Sequence, residues 1–131
     1  MCDEQLTIKY YNTKNQLHRP DGPAIIHSNG TTEWWIDGQL HRENGPAIEY
    51  ADGTKYWYFN GKLHREDGPA TEWSDGRKDW YLNGKRHRED GPAVIIYNGR
   101  KYWYLNGQLY GENDDFTNES WIRFFKLELL K

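Results

Sequence analysis

Cysteine occurs once, at Cys2, so no disulfide can close within the chain and a reducing compartment, the cytoplasm, is the natural expectation. Were the chain viral, that would be the host cytoplasm. Long apolar runs are missing: mean hydropathy is −1.09, and nothing approaches the roughly 18 apolar residues of a membrane span. Met1 to Gln5 lack the basic stretch and apolar core of a secretion signal, and none is expected. An excess of basic charge is missing too. Twenty acidic against seventeen basic side chains leave a net charge of −3, which argues against a nonspecific nucleic-acid binder. Serine is confined to Ser28, Ser74 and Ser120, none in a nucleophile-elbow setting, and no glycine pattern cradles a phosphate. The expectation is a protein that is not an enzyme and needs no cofactor.

What the chain has instead is repetition. His18, His41, His64 and His87 recur every 23 residues, each within a version of Leu-His-Arg-Glu-Asp-Gly-Pro-Ala. An apolar run, an Asp-Gly or Asn-Gly turn, an aromatic run and a further Asn-Gly turn follow. Such a period makes each unit one supersecondary element that buries its apolar face only by stacking on its neighbours. The units run over 17–39, 40–62, 63–85 and 86–108 within a single domain, 1–131. A partial unit at 8–16 precedes them, with Tyr11 in the tryptophan slot and Asn15 in the turn-glycine slot. After Leu109 the pattern dissolves: Tyr110 stands for His, Gly111 for Arg, and Asp114-Asp115 for Gly-Pro.

Dipeptides ending in glycine between apolar runs, such as Asp52-Gly53 and Asn60-Gly61, predict type I′ hairpin turns. The aromatic run Lys55 to Phe59 favours extended structure, Pro46 to Tyr50 reads as its partner, and Leu63-His64-Arg65 as a third short piece. The predicted fold class is therefore all-β: an open antiparallel array of hairpins, about three short strands per unit. From Asp115 onward the glycine turns stop, and Trp121, Ile122, Phe125 and Leu129, widened by Phe124, Leu127 and Leu130, recur at helix-face spacing. This predicts a C-terminal helix within 113–131, N-capped by Asn113 or Thr117 with Asp114 and Asp115 in its first turn, covering the open end of the array.

Aromatic residues, 16% of the chain, must supply much of the buried area. Alternation puts Trp34, Trp57, Trp80 and Trp103 on one side with Ile36, Phe59, Leu82 and Leu105, read here as the packed face. Trp35, Tyr58, Tyr81 and Tyr104, flanked by Glu33, Tyr56, Asp79 and Tyr102, would form the wetter face. Both sides are aromatic, so the inverse assignment stays open.

The unit of Gly61-Lys62 onward resembles the MORN repeat and its bacterial variant form over about residues 8 to 112. The shared features are the period, a Gly-Lys opening as at Gly84-Lys85, and an aromatic-x-Asp/Asn-Gly turn as at Tyr50 to Gly53. The resemblance implies an open array of antiparallel hairpins. This chain departs from it in replacing the usual tyrosine-x-glycine-x-tryptophan strand by Tyr56-Trp57-Tyr58-Phe59, and in a longer link from Gly61 to Asp67. The Leu-His-Arg-Glu-Asp-Gly-Pro-Ala arrays are also similar to uncharacterised proteins of large phages and giant viruses.

For function, the outward column of Trp35, Tyr58, Tyr81 and Tyr104, with Tyr56 and Tyr102, is the candidate partner-binding surface, since large rigid rings are enriched at binding hot spots. The expectation is a protein-interaction module, an inhibitor or adaptor, whose partner is another protein; one alternative is a self-associating structural spacer whose partner is a second copy of the chain. Arg42, Arg65 and Arg88 with His41, His64 and His87 form a candidate anion row, of the kind a nucleotide-sequestering protein would use. Glu43, Glu66 and Glu89 beside it oppose that reading; the structural reading is that the Asp or Asn two residues after each Arg closes its own turn by accepting backbone N–H groups while the Arg spans to an adjacent unit. A metal is not expected at the His row. Equivalent positions in stacked units lie roughly 10–14 Å apart, and ligand bonds are about 2 Å. His27 belongs to another slot, with Tyr50, Trp73 and Ile96, and reads as a packed ring.

Overall fold

The computed structural model describes residues 7–129. Met1 to Leu6, with Cys2, and Leu130 and Lys131 lie outside them. The chain is an open antiparallel array of β-hairpins closed at its C-terminal end by one helix. The strands are β1 (Ile8–Lys9), β2 (Ile25–Ile26), β3 (Thr32–Glu33), β4 (Trp35–Ile36), β5 (Gln39–Leu40), β6 (Ile48–Glu49), β7 (Lys55–Tyr56), β8 (Tyr58–Phe59) and β9 (Lys62–Leu63). There follow β10 (Thr71–Glu72), β11 (Lys78–Asp79), β12 (Tyr81–Leu82), β13 (Lys85–Arg86), β14 (Val94–Ile95), β15 (Lys101–Leu105) and β16 (Gln108–Glu112), then the helix α1 (Asn118–Leu129).

The aromatic run is not one strand. It breaks at Trp34, Trp57 and Trp80, so the units around them contribute four two-residue strands where three were expected, whereas β15 runs unbroken through Trp103. The first pair of each unit joins a ten-stranded sheet, β1-β2-β3-β6-β7-β10-β11-β14-β15-β16. The second pair forms a separate hairpin: β4-β5, β8-β9 and β12-β13. The cause is visible in the backbone bonding at the break. Trp57 donates its N–H to the Ala70 carbonyl of the next sheet hairpin (2.7 Å), while its own carbonyl accepts the His64 N–H at the foot of β8-β9 (3.0 Å). Trp34 and Trp80 do the same with Ala47 and His41, and with Ala93 and His87. Each of these three tryptophans is thus the point where the chain steps from the sheet to a second row of hairpins. In the partial first unit that place belongs to Tyr10, bonded to Ala24 and His18, and not to Tyr11. One extra residue in the turn after it shifts the alignment, and Asn15, with φ 62°, takes the left-handed position there.

The second-row hairpins are tied to one another as well. Gly61 N–H reaches the Leu40 carbonyl (2.8 Å) and Arg42 N–H the Tyr58 carbonyl (3.1 Å), and the same two bonds recur along the row. Its turns are the expected type I′: Asn60 and Gly61 have φ of 51° and 79°, and Asn83 and Gly84 of 50° and 80°. The turns of the long sheet differ. At Asp52-Gly53 only Gly53 is left-handed (φ 94°), Gly53 N–H bonds the Tyr50 carbonyl, and Tyr50 N–H the Thr54 carbonyl. That is a three-residue type I loop with a glycine bulge. It prevails over type I′ because the Asp52 carboxylate accepts the Thr54 N–H (2.9 Å) and closes the loop itself; the same bond holds that carboxyl below its ordinary range.

Neither aromatic side is the core along most of the array. Trp34, Trp57 and Trp80 are half-buried, as are Trp35, Tyr58, Tyr81 and Tyr104. What is fully buried is the small residue of each unit, Ala24, Ala47, Ala70 and Ala93, beside Ile25, Ile48, Thr71 and Val94. The layer is too thin to enclose large side chains, so the rings lie along it with one flank in water. The buried Thr31 and Thr54 add rungs: their hydroxyl oxygens accept Ala51 N–H and Ser74 N–H from the next sheet loop, both at 3.1 Å.

Large side chains are enclosed at the C-terminal end, where Trp103, Leu105 and Trp121 are buried with Tyr110, Phe116, Phe124 and Phe125 around them. The helix starts at Asn118, not at 113. Asn113–Asp115 form a separate 3-10 turn, which takes Asp114 and Asp115 out of the helix. Thr117 is the N-cap: its hydroxyl accepts the Ser120 N–H (3.1 Å), and the Ser120 hydroxyl oxygen accepts the Thr117 N–H (2.9 Å). Leu127, expected on the packed stripe, is 59% exposed. No helix among the described residues is long and apolar enough to cross a membrane.

Candidate functional site

The histidines and arginines of the repeat are the joints of the array. Each His ring accepts a backbone N–H at Nδ1 from an Asp/Asn-Gly turn further along the chain, in a second-row hairpin or, for His87, between β15 and β16. His18 bonds Asp37 (3.0 Å), His41 bonds Asn60 (2.9 Å), His64 bonds Asn83 (2.9 Å) and His87 bonds Asn106 (3.0 Å). The bond requires the Nε2–H tautomer, and in His87 that nitrogen lies 3.0 Å from Glu89. His64→Leu keeps the bulk but leaves the Asn83 N–H without its partner. Urea unfolding should show a loss of about 0.5–1.5 kcal/mol, the net worth of one hydrogen bond; no loss would mean that water replaces the ring.

Each Arg lies flat between a ring and a glycine. The Cζ atoms of Arg42, Arg65 and Arg88 stand 3.9 Å above Trp34, Trp57 and Trp80, and that of Arg19 stands 4.2 Å above Tyr10. On the other side, a methyl group at Gly45, Gly68 or Gly91 would come within 2.9, 2.9 or 2.7 Å of the same atoms, a separation only glycine permits. Arg65 then donates to the Pro69 carbonyl (3.1 Å), to Glu72 (2.9 Å) and to Asp67 (3.0 Å). Arg42 and Arg88 bond Pro46 and Pro92 in the same way. The aspartates at 67 and 90 meet the Arg Nε, where the sequence suggested that they close their own turns.

The aromatic column is partly engaged within the fold. Tyr58 is half-buried and its phenol is pushed up by burial. Arg86 lies over Tyr81 and Tyr104 and donates to the Tyr104 hydroxyl oxygen (3.4 Å). Trp35 donates its indole N–H to Glu33 (3.0 Å). Tyr56 packs edge-on between Tyr50 and Trp73, at 5.3 and 5.5 Å between ring centres, and Tyr102 is half-buried in β15. His27 is half-buried and pairs with Glu33 at 2.6 Å. Beneath this side, Arg77 and Arg86 converge on the buried Asp79, at 2.9 and 3.7 Å.

The opposite side carries a feature the alternation did not reveal. Between successive Arg-Glu-Asp/Asn-Gly loops lies an open groove, floored by a tryptophan and the apolar residue two places on. The groove over Trp57 and Phe59 has a volume of about 650 Å³, with Arg42 to Gly45 and His64 to Asp67 as walls. The one over Trp80 and Leu82 also measures about 650 Å³, and that over Trp34 and Ile36 about 460 Å³. Phe59, read as core, is 41% exposed on this floor and packs at a tilt against His41 with ring centres 4.4 Å apart. The signal was present in the period itself, since walls and floor all repeat every 23 residues.

The fourth copy of the floor, Trp103 and Leu105, is covered. Gly111 stands where the stacking Arg would be, and α1 sets Trp121 beside Trp103, ring centres 5.4 Å apart, with its indole N–H on the Arg88 carbonyl (2.8 Å). An open β-hairpin repeat array with a helical cap and repeated surface grooves is the class that fold and site define. No family model and no curated protein matches the chain.

Proposed function

We propose that this protein is a protein-interaction module of the cytoplasm, an adaptor or inhibitor, that engages an extended stretch of its partner across successive grooves. What supports the reading is the threefold recurrence of one open, aromatic-floored groove at a fixed step along the array. Rings fixed in a rigid scaffold lose little entropy on contact, and a repeated shallow site suits a long ligand better than a compact substrate. The MORN-like resemblance is compatible with this role.

The test is retention of a partner that depends on the groove floors. Phe59→Ser with Leu82→Ser should release a protein that the unaltered chain holds from lysate of its source cell, with circular dichroism unchanged. Tyr97→Ser, at a ring 72% exposed outside the groove linings, should retain it. Equal retention by all three chains would refute the assignment to the grooves.

A further inference from the structure

The charge of the grooves favours one class of partner. In the two larger ones carboxylates outnumber guanidiniums, and the two kinds are placed differently. The Arg42, Arg65 and Arg88 side chains are 26, 22 and 21% exposed, pressed between ring and glycine, with Glu49, Glu72 and Asp90 as partners. The side chains of Glu43, Asp67, Glu89 and Asp90 are 73, 87, 56 and 75% exposed along the rims. The Arg65 pairs run through Asp67 and Glu72 and leave Glu66 on the rim. An approaching segment therefore meets negative charge above an apolar aromatic floor. Lysine or arginine fits both, its methylene stem along Phe59 or Leu82 and its head among the glutamates.

The step between grooves fixes the spacing. Two strands per unit at about 4.8 Å each set successive grooves roughly 10 Å apart. A polyproline II segment rises about 3.1 Å per residue with three residues per turn, so every third side chain returns to the same face after about 9.3 Å. A β-strand turns alternate side chains away and does not match. We infer that the grooves bind a basic, proline-rich segment of a partner in the polyproline II conformation, with a cationic side chain at every third position, one per groove. This rests on the protein-binding reading and names its ligand.

Three fluorescein-labelled peptides test it by anisotropy titration against the full chain: four Lys-Pro-Pro triplets, the same twelve residues with the lysines adjacent, and four Glu-Pro-Pro triplets. The triplet peptide should bind about tenfold more tightly, and Glu43→Gln, Glu66→Gln and Glu89→Gln together should remove about that factor, each exposed pair being worth a few-fold. Equal binding of the two lysine peptides, tighter binding of the four Glu-Pro-Pro triplets, or an unchanged affinity in the triple variant overturns the inference. If neither lysine peptide binds while Phe59→Ser with Leu82→Ser still releases a cellular partner, the cationic ligand is wrong and the protein-binding reading stands. If the triplet peptide binds and no cellular protein depends on the floors, the reverse holds.

Discussion

Trp121→Ala should lower the stability of the chain by about 3–5 kcal/mol, the range for removing a fully buried tryptophan. The indole is completely enclosed, rests against Trp103, Phe116 and Phe124, and closes the Arg88 carbonyl with its N–H. Its loss also uncovers Trp103, for which Gly111 offers no replacement. Along the array each Trp is shielded by the Arg eight residues on; at the last one the helix does that work. In equilibrium urea unfolding followed by tryptophan fluorescence, the midpoint should fall by about 1 M or more. Trp121→Phe, which keeps the ring contacts but not the N–H, should recover the larger part. A loss under about 1 kcal/mol for the alanine variant would mean that α1 is an appendage and not a cap.

Arg65→Ala is expected to be the most damaging change inside the array, at about 2–3 kcal/mol, because it removes a stacked cation and charge-assisted bonds together. The stabilisation depends on shape as much as on charge. Arg65→Lys keeps the charge but cannot lie flat between Trp57 and Gly68, so it should recover less than half of the loss in the same unfolding experiment. Gly68→Ala should mimic the lysine variant from the other side, since the new methyl meets the Arg65 Cζ at 2.9 Å. Full recovery by lysine would assign the role to charge alone.

The repeat, its hairpins and the terminal helix were legible because they rest on local chemistry. Asn-Gly supplies a left-handed glycine and closes a hairpin where it stands between extended runs, as at Asn60-Gly61 and Asn98-Gly99, and Trp121, Phe124 and Phe125 mark a helix face by spacing alone. The division into two rows was not legible. Lys55 to Phe59 alternates without interruption, and only the competition of Ala70 and His64 for the backbone of Trp57 breaks it. The roles of His64 and Arg65 were hidden for a related reason. A ring nitrogen that accepts a main-chain proton and one that would face a ligand are the same letter in a sequence, and the difference lies in which loop arrives beside it. Strand alternation hides the grooves because it sorts residues only into inside and outside. In a layer one side chain thick, Trp57 and Phe59 are scaffold on one flank and surface on the other.

Every second-row hairpin hangs on its predecessor through the same set of attachments: a glycine amide, an arginine amide and an imidazole. None of them refers to how many hairpins came before. Length is therefore an adjustable property of this architecture, and copying one 23-residue stretch into the middle of the chain would extend the reach of the molecule by one step while its two ends stay as they are.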